Sequence, residues 1–495
     1  MDAVVGAVND VLYSYVLIFL LVGAGLYFTV RSRALQVRHF RLMVRKVLGS
    51  RQGAEGGISS FQAFAIGLAS RVGTGNIAGV AIALTLGGPG AIFWMWVVAL
   101  VGMATAFMEA TLAQMFKVRW HDGTFRGGPA FYIQRGLGSR GWGVVFAVCL
   151  IFAFGLAFNM VQANTIAGTL EGSHGWPTWV TSLFLVALAA PVILGGIRSV
   201  ARVTEWMAPV MAFFYVLLAL VVIVTNLPEI PGVVADILRG AFGLDQALAG
   251  TAGGMLAALL NGVKRGLFSN EAGMGSAPNA AATATVAHPA QQGFIQSLGV
   301  FVDTILVCSA TAFMILLAAP EVYTPGVTGD DRGAVLTQTA VADSLGTWTT
   351  VPMTVLIFVF AFSSVLGNFT YAEVNTDFIR PGRAANLAIR LLVVAAVAVG
   401  ALLELGTVWA LADVAMGLMA TVNLVALFLL GRWALGALRD YERQAAAGGG
   451  AGLRRRGQPR AARRPAHRGL GGGGAAPGPP VAAAVSGQAR RRCRP

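Results

Sequence analysis

Two glycine-rich polar segments interrupt long apolar stretches of this chain: Ser70-Arg71-Val72-Gly73-Thr74-Gly75-Asn76 and Lys264-Arg265-Gly266-Leu267-Phe268-Ser269-Asn270-Glu271-Ala272-Gly273. The apolar runs recur at about 20 residues each, the length that a bilayer's hydrocarbon demands of a helix. Inside hydrocarbon each backbone N–H and C=O needs a partner, so backbone that leaves the helix there is tolerated only where it lines a cavity. A matched pair of such breaks points to a binding site built from two broken helices.

Composition supports the membrane reading. Hydrophobic residues make up 56% of the chain and charged ones 12%, with a mean hydropathy of +0.70; an ordinary soluble domain carries roughly 25% charged residues. The net charge of +14 does not mark a nucleic-acid partner, because eleven arginines lie after Gln444 with no acid among them, which leaves +3 for the rest. That tail, rich in Gly, Ala, Pro and Arg, is too poor in large apolar residues to order itself, and is expected to be disordered and cytoplasmic from 443 to 495, attracted at most to lipid. Cys149 and Cys308 lie in apolar runs and Cys493 in the tail, so no disulfide framework is expected. The histidines lack ligand spacing, which argues against a transition-metal centre. No basic segment precedes the first apolar run, so it reads as a membrane helix and not as a cleaved signal.

The apolar runs predict an all-α polytopic membrane protein of about eleven transmembrane helices, at 11–30, 62–86, 92–116, 143–170, 180–195, 205–225, 251–284, 294–319, 350–371, 388–405 and 408–430. Alternate loops are basic: Arg31 to Arg51, Lys117 to Arg140, Arg198 and Arg202, and Arg380 to Arg390. The positive-inside rule then puts the amino terminus outside and the tail in the cytoplasm. In that orientation the span holding Gly73 runs outward, and the span holding Ser269, five spans later, runs inward. An inverted five-helix repeat produces this relation. The transport domain is then 1–442, with an extra helix at 11–30, repeat one at 62–225 and repeat two at 251–430.

Several polar groups sit at membrane depth. Gly73 and Gly75 free N–H groups for an anion such as an amino-acid carboxylate, with Thr74 and Asn76 adding oxygens; glycines also serve close helix packing. Phe268, Ser269 and Asn270 combine an aromatic lid with hydrogen-bonding groups. Glu271 needs a cation, a partner in Lys264 or Arg265, or a proton, because an unpaired charge at this depth is costly. Gln162, with Asn159 on the same helical face, reads equally as a substrate contact or as an interhelical hydrogen-bond partner. Ser363 and Ser364 offer hard oxygens to a cation, or bond back to their own helix. Glu109, Asp303 and Asp413 read equally as proton-path groups or as buried counter-charges.

The segments Ser-Arg-Val-Gly-Thr-Gly-Asn-Ile-Ala-Gly-Val-Ala at 70–81, Gly-Gly-Pro-Gly-Ala-Ile-Phe-Trp-Met-Trp at 87–96 and Lys-Arg-Gly-Leu-Phe-Ser-Asn-Glu-Ala-Gly-Met-Gly-Ser-Ala-Pro at 264–278 resemble the alanine or glycine:cation symporter family. His288-Pro289, Gln292-Gly293 and Asp303-Thr304 fit the same pattern, and the resemblance covers roughly Tyr13 to Glu442. It implies a leucine-transporter-type five-plus-five inverted repeat behind one extra helix, and a prokaryotic plasma-membrane importer of alanine or glycine coupled to sodium, with no organic cofactor. On this analogy the substrate is held by Thr74, Gly75, Asn76, Phe268, Ser269, Asn270 and Gln162. A sodium ion is held by carbonyls near Ala69 and Val72 with Ser363 and Ser364. The long Arg- and Pro-rich tail departs from the family pattern and is assigned no transport role.

The reading is therefore a symporter working by alternating access, and not an enzyme: a membrane-embedded acid–base pair of Glu271 and Asp303 would lack any nucleophile or metal set. The competing readings are a passive channel or facilitator, and a transporter coupled to protons through Glu271 or Asp303. Sequence leaves open alanine against glycine or serine.

Overall fold

The computed structural model describes residue 9 and residues 12–49, 58–120, 123–243, 252–329 and 333–447. The basic tail beyond 447 lies outside these residues, as do Val11 and Thr251, where two expected spans begin. After a π turn at Leu12–Leu17 come helix α1 (Ile18–Arg31) and the amphipathic α2 (Phe40–Leu48). The first broken helix follows, α3 (Ser60–Arg71) and α4 (Gly75–Gly87), bent by 47° at the break. Then come α5 (Gly90–Phe116), a hairpin of β1 (Val118–Arg119) and β2 (Phe125–Arg126), α6 (Pro129–Gly136), α7 (Arg140–His174), α8 (Thr178–Leu194), α9 (Ile197–Thr225) and α10 (Ile230–Ala241). The second half holds the broken pair α11 (Ala252–Asn270) and α12 (Ala277–Thr283), then α13 (Pro289–Leu316), α14 (Ala334–Leu345), α15 (Thr350–Ile379), α16 (Arg383–Gly400) and α17 (Leu405–Ala446).

Within the described residues each expected apolar run overlaps a helix or a broken pair, with bounds that differ by several residues. Among the described residues seven helices are long and apolar enough to cross a bilayer, eight with α3 and α4 taken together, while α1 and α8 are shorter apolar helices. The hairpin, α6, α10 and α14 lie between expected spans, where no apolar run marks them. Helix α17 continues to Ala446, four residues past the expected end of the transport domain.

Local chemistry starts the first broken helix firmly. Ser59 Oγ accepts from Gln62 N at 3.0 Å while Gln62 Oε1 accepts from Ser59 N at 2.9 Å, a reciprocal cap that satisfies two end groups. The two broken helices then run in opposite directions and touch at both ends. Ile58, ahead of α3, bridges Ala284, just past α12. At the other end a Cβ on Gly87 would stand 3.1 Å from Ala257 O and Asn261 Cβ of α11.

Helix α5 is the axle of the interior: Val101 to Phe116 is buried throughout, packed by α11 and α13. At the periphery, by contrast, α9 exposes Trp206, Phe213 and Leu220, and α16 exposes Leu387, Leu391 and Val399. Water would penalise that much exposed apolar surface, and lipid does not. One buried ion pair ties the hairpin to the end of α15: Arg126 Nε lies 2.8 Å from Asp377 Oδ2.

Candidate substrate and cation site

The break in the first helix is built by two N–H groups that leave the helical ladder. Val72 N still donates to Leu68 O at 2.7 Å. Gly73 N instead donates to Asn76 Oδ1 at 2.8 Å, and Thr74 N to Gln162 Oε1 at 3.1 Å. Ala69 O, which the next helical N–H would have reached, accepts from Ser364 Oγ at 2.9 Å and from Ser363 Oγ at 3.4 Å, both on α15. The two hydroxyls also bond back to Phe360 O at 2.9 and 3.2 Å. Carbonyl and hydroxyl oxygens thus converge beside the break, the hard donors that suit an alkali cation.

The second break lies directly opposite. After Asn270 the chain passes through left-handed Glu271 (φ 56°), Gly273 (φ 92°) and Gly275 (φ 85°) before α12 begins. Glycine takes such angles freely, whereas a glutamate does so only when its side chain is held. Glu271 Oε1 accepts from Ser70 Oγ and Oε2 from Ser276 Oγ, both at 2.6 Å. Glu109 of α5 accepts from Gly273 N and from Asn423 Nδ2, and Tyr132 OH bonds Asn423 in turn.

Asn76 joins the two breaks. Its Nδ2 donates to Ser269 Oγ at 3.0 Å and to Asp303 Oδ1 at 2.7 Å, and Ser269 and Thr304 hydroxyls donate to Asp303 Oδ2 at 2.6 and 2.8 Å. The carbonyl of Asn76 is held by Thr311 Oγ1 at 2.6 Å. Phe268 stacks on Phe158 with centroids 4.3 Å apart and packs on Trp409 at 4.5 Å. It lies so close to Gly75 that an added Cβ would meet Phe268 Cδ1 at 2.8 Å. The centre is sealed: Asn76, Ser269, Asn270, Asp303, Ser363 and Ser364 are each no more than 1% exposed.

Thr74, Gly75, Asn76, Gln162, Phe268 and Ser269 are therefore brought together, and Ala69, Ser363 and Ser364 form a second cluster beside Gly73. Asn270 turns its oxygen back to Ala272 N at 3.0 Å and leaves its buried Nδ2 without a partner among the described residues. Asn159 does not share Gln162's role: its Nδ2 reaches Phe154 O and its oxygen accepts from Asn368. Glu271 is not bonded to Lys264 or Arg265. Arg265 Nη2 lies 2.7 Å and Lys264 Nζ 3.7 Å from Asp413 Oδ2, because both project from α11 toward α17, away from the break that follows Asn270. Asp303 and Trp409 also lie at this centre, against Asn76 and Phe268, and the expected substrate and cation lists lack both. Asp303 carries a signal in sequence as an acid inside an apolar run; Trp409 carries none that separates it from a lipid-facing tryptophan.

A bundle in which two antiparallel broken helices meet at a sealed polar centre has the leucine-transporter fold. The structure of MhsT in complex with L-phenylalanine shares that fold, with a TM-score of 0.57 at 15% identity, covering 78% of this chain and 93% of that one. Sequence narrows the class: residues 1–453 match the sodium:alanine symporter family, and the chain belongs to it. Its relatives include the probable sodium/glutamine symporter GlnT of Bacillus subtilis, 46% identical over 449 residues, covering 90% of this chain and 92% of the relative. The sodium/alanine symporter AgcS of Methanococcus maripaludis is 39% identical over 441 residues, covering 86% and 94%.

Proposed function

We propose that this chain imports a small neutral amino acid, alanine or glycine, together with sodium across a prokaryotic plasma membrane, with its amino terminus outside. The observation that carries the reading is the pair of N–H groups freed at Gly73 and Thr74. Each donates to an amide oxygen, from Asn76 and from Gln162. Those two oxygens stand where the two oxygens of a carboxylate would, so a zwitterionic substrate that takes their place gives both N–H groups charge-assisted bonds instead of neutral ones. Asp303, bonded to both broken helices, supplies the negative charge that balances the substrate's ammonium and the coupled cation. Phe268, stacked on Phe158 and packed on Trp409 against Gly75, leaves room beside Cα only for a small side chain.

Sodium binds at Ala69 O and the Ser363 and Ser364 hydroxyls, with the Val72 carbonyl completing the set. It draws α3 against α15 and organises the break. Occupied by both ligands, the broken-helix pair rocks against the surrounding helices and opens the same centre to the opposite side. The test is uptake of labelled alanine into proteoliposomes holding the purified chain under an inward sodium gradient. Alanine accumulates above equilibrium and the accumulation collapses when choline replaces sodium at fixed pH. Uptake that choline leaves unchanged refutes sodium coupling, and uptake that never exceeds equilibrium makes the protein a passive facilitator.

A further inference from the structure

We propose that the surface where α1 ends against α17 is a binding site for the headgroup of an anionic phospholipid. A cavity of about 160 Å³ opens there, with Arg31, Arg33, Arg38, Arg439 and Glu442 on its walls and Leu435 and Leu438 at its back. Its volume is several times the roughly 30 Å³ that one water occupies in the liquid, room enough for a phosphodiester.

The charges in the cavity do not cancel. Arg38 Nη2 binds Glu442 Oε1 at 3.0 Å, and His39 Nε2 meets the same oxygen at 2.9 Å. Arg38 also donates to Arg33 O at 2.7 Å and Ser32 O at 2.9 Å, so its guanidinium is spent on holding the turn. Arg31, Arg33 and Arg439 remain exposed, and none has an acidic partner among the described residues; Arg31 touches only the Tyr27 ring, at 6.0 Å. Three like charges around one cavity repel one another and need an anion. The turn that presents them is itself strained, since Arg33 (φ 57°) and Ala34 (φ 51°) are consecutive left-handed residues and neither is glycine.

The position selects the kind of anion. Arg31 is the last residue of an apolar helix, and Tyr27 one turn earlier meets Phe428 of α17 with centroids 5.6 Å apart. This apolar seam leads from the cavity down the outside of the bundle, where Val30 and Leu429 are largely exposed. An acyl chain covers such a seam, and a free phosphate does not. The neighbouring α2 exposes Arg41 and Arg45 beside Val44 and Leu48, the mixed face of a helix lying at a membrane interface.

The experiment uses the full chain purified in a neutral detergent, with binding of phosphatidylglycerol, phosphatidylcholine and inorganic phosphate each followed by native mass spectrometry and by thermal melting. Phosphatidylglycerol binds and raises the melting temperature, while phosphatidylcholine and phosphate do neither. With about 1 kcal/mol per basic residue near an anionic surface, the double variant R33Q/R439Q binds phosphatidylglycerol about 30-fold more weakly. R439Q alone, which leaves the turn untouched, loses about fivefold. R443Q, whose partner Asp440 lies outside the cavity, binds as the parent does. Equal binding of phosphatidylcholine, a shift reproduced by phosphate alone, or undiminished binding by R439Q overturns the proposal. None of these readouts depends on transport.

Discussion

Replacing Asn76 with alanine tests the site at its most connected atom pair. In the closed arrangement Asn76 Oδ1 satisfies Gly73 N, and Asn76 Nδ2 satisfies Asp303 Oδ1; the other donors to that carboxylate, Ser269 and Thr304, reach Oδ2. Alanine leaves a buried N–H and a buried carboxylate oxygen without those partners. With substrate bound its carboxylate takes Gly73 N, so one orphan remains, the Asp303 oxygen, and the closed substrate-bound state loses about 1–3 kcal/mol, or roughly fivefold to 150-fold in population. Sodium-driven alanine uptake by Asn76→Ala in proteoliposomes therefore falls at least fivefold at matched protein density. The fold survives, because the loss is confined to a centre that opens during transport, and the melting temperature in detergent changes by only a few degrees. Asn76→Asp keeps the shape and the acceptor but sets a second carboxylate against Asp303, and its loss is at least as large. Uptake by either variant within twofold of the parent would show that this network carries no part of substrate closure.

Three further changes probe the neighbours. Ser364→Ala removes the shorter hydroxyl contact to Ala69 O, so the sodium concentration for half-maximal uptake rises about tenfold while alanine affinity at saturating sodium is nearly unchanged; an equal effect on both would place Ser364 outside the cation site. Glu271→Gln retains sodium-driven uptake within about fivefold because an amide still meets the Ser70 and Ser276 hydroxyls, whereas Glu271→Ala loses it; equal loss in both would mean that the negative charge itself is required. Trp409→Ala takes away the support behind Phe268, and glutamine then competes with labelled alanine where it did not before; an unchanged competition profile would remove Trp409 from size selection.

The two breaks were legible because glycine and polar residues inside apolar runs have few other uses in hydrocarbon. Their opposite directions were legible from loop charge, and the contacts Ile58 to Ala284 and Gly87 to Ala257 bring the corresponding ends together. Partner choice was not legible. Glu271 lies six and seven residues from Arg265 and Lys264, close along the chain, but those bases project to Asp413 of a helix some 150 residues later. Asp303 and Trp409 enter the centre from α13 and α17, and proximity between distant segments has no local signature. The hairpin and α6, α10 and α14 escaped because each is too short to give an apolar span. Ser363 and Ser364 make the back-bond to their own helix that sequence offered as one alternative, and they also bond Ala69 O, a contact that sequence did not offer.

The bond missing between Gly73 N and Ala69 O has a thermodynamic consequence. The severed helical hydrogen bond leaves two free ends: its acceptor, Ala69 O, meets the Ser364 hydroxyl, and its donor, Gly73 N, meets the Asn76 oxygen, the places proposed above for the cation and for the substrate carboxylate. Healing that bond would erase both positions at once, and breaking it once creates both. With the solutes in those proposed places, their linkage needs no relay across the protein, since their positions lie at the two ends of one severed helical contact. On the assignment made above, each ion that holds Ala69 O favours the conformer in which Gly73 N is free, and each substrate returns the favour with an equal coupling free energy.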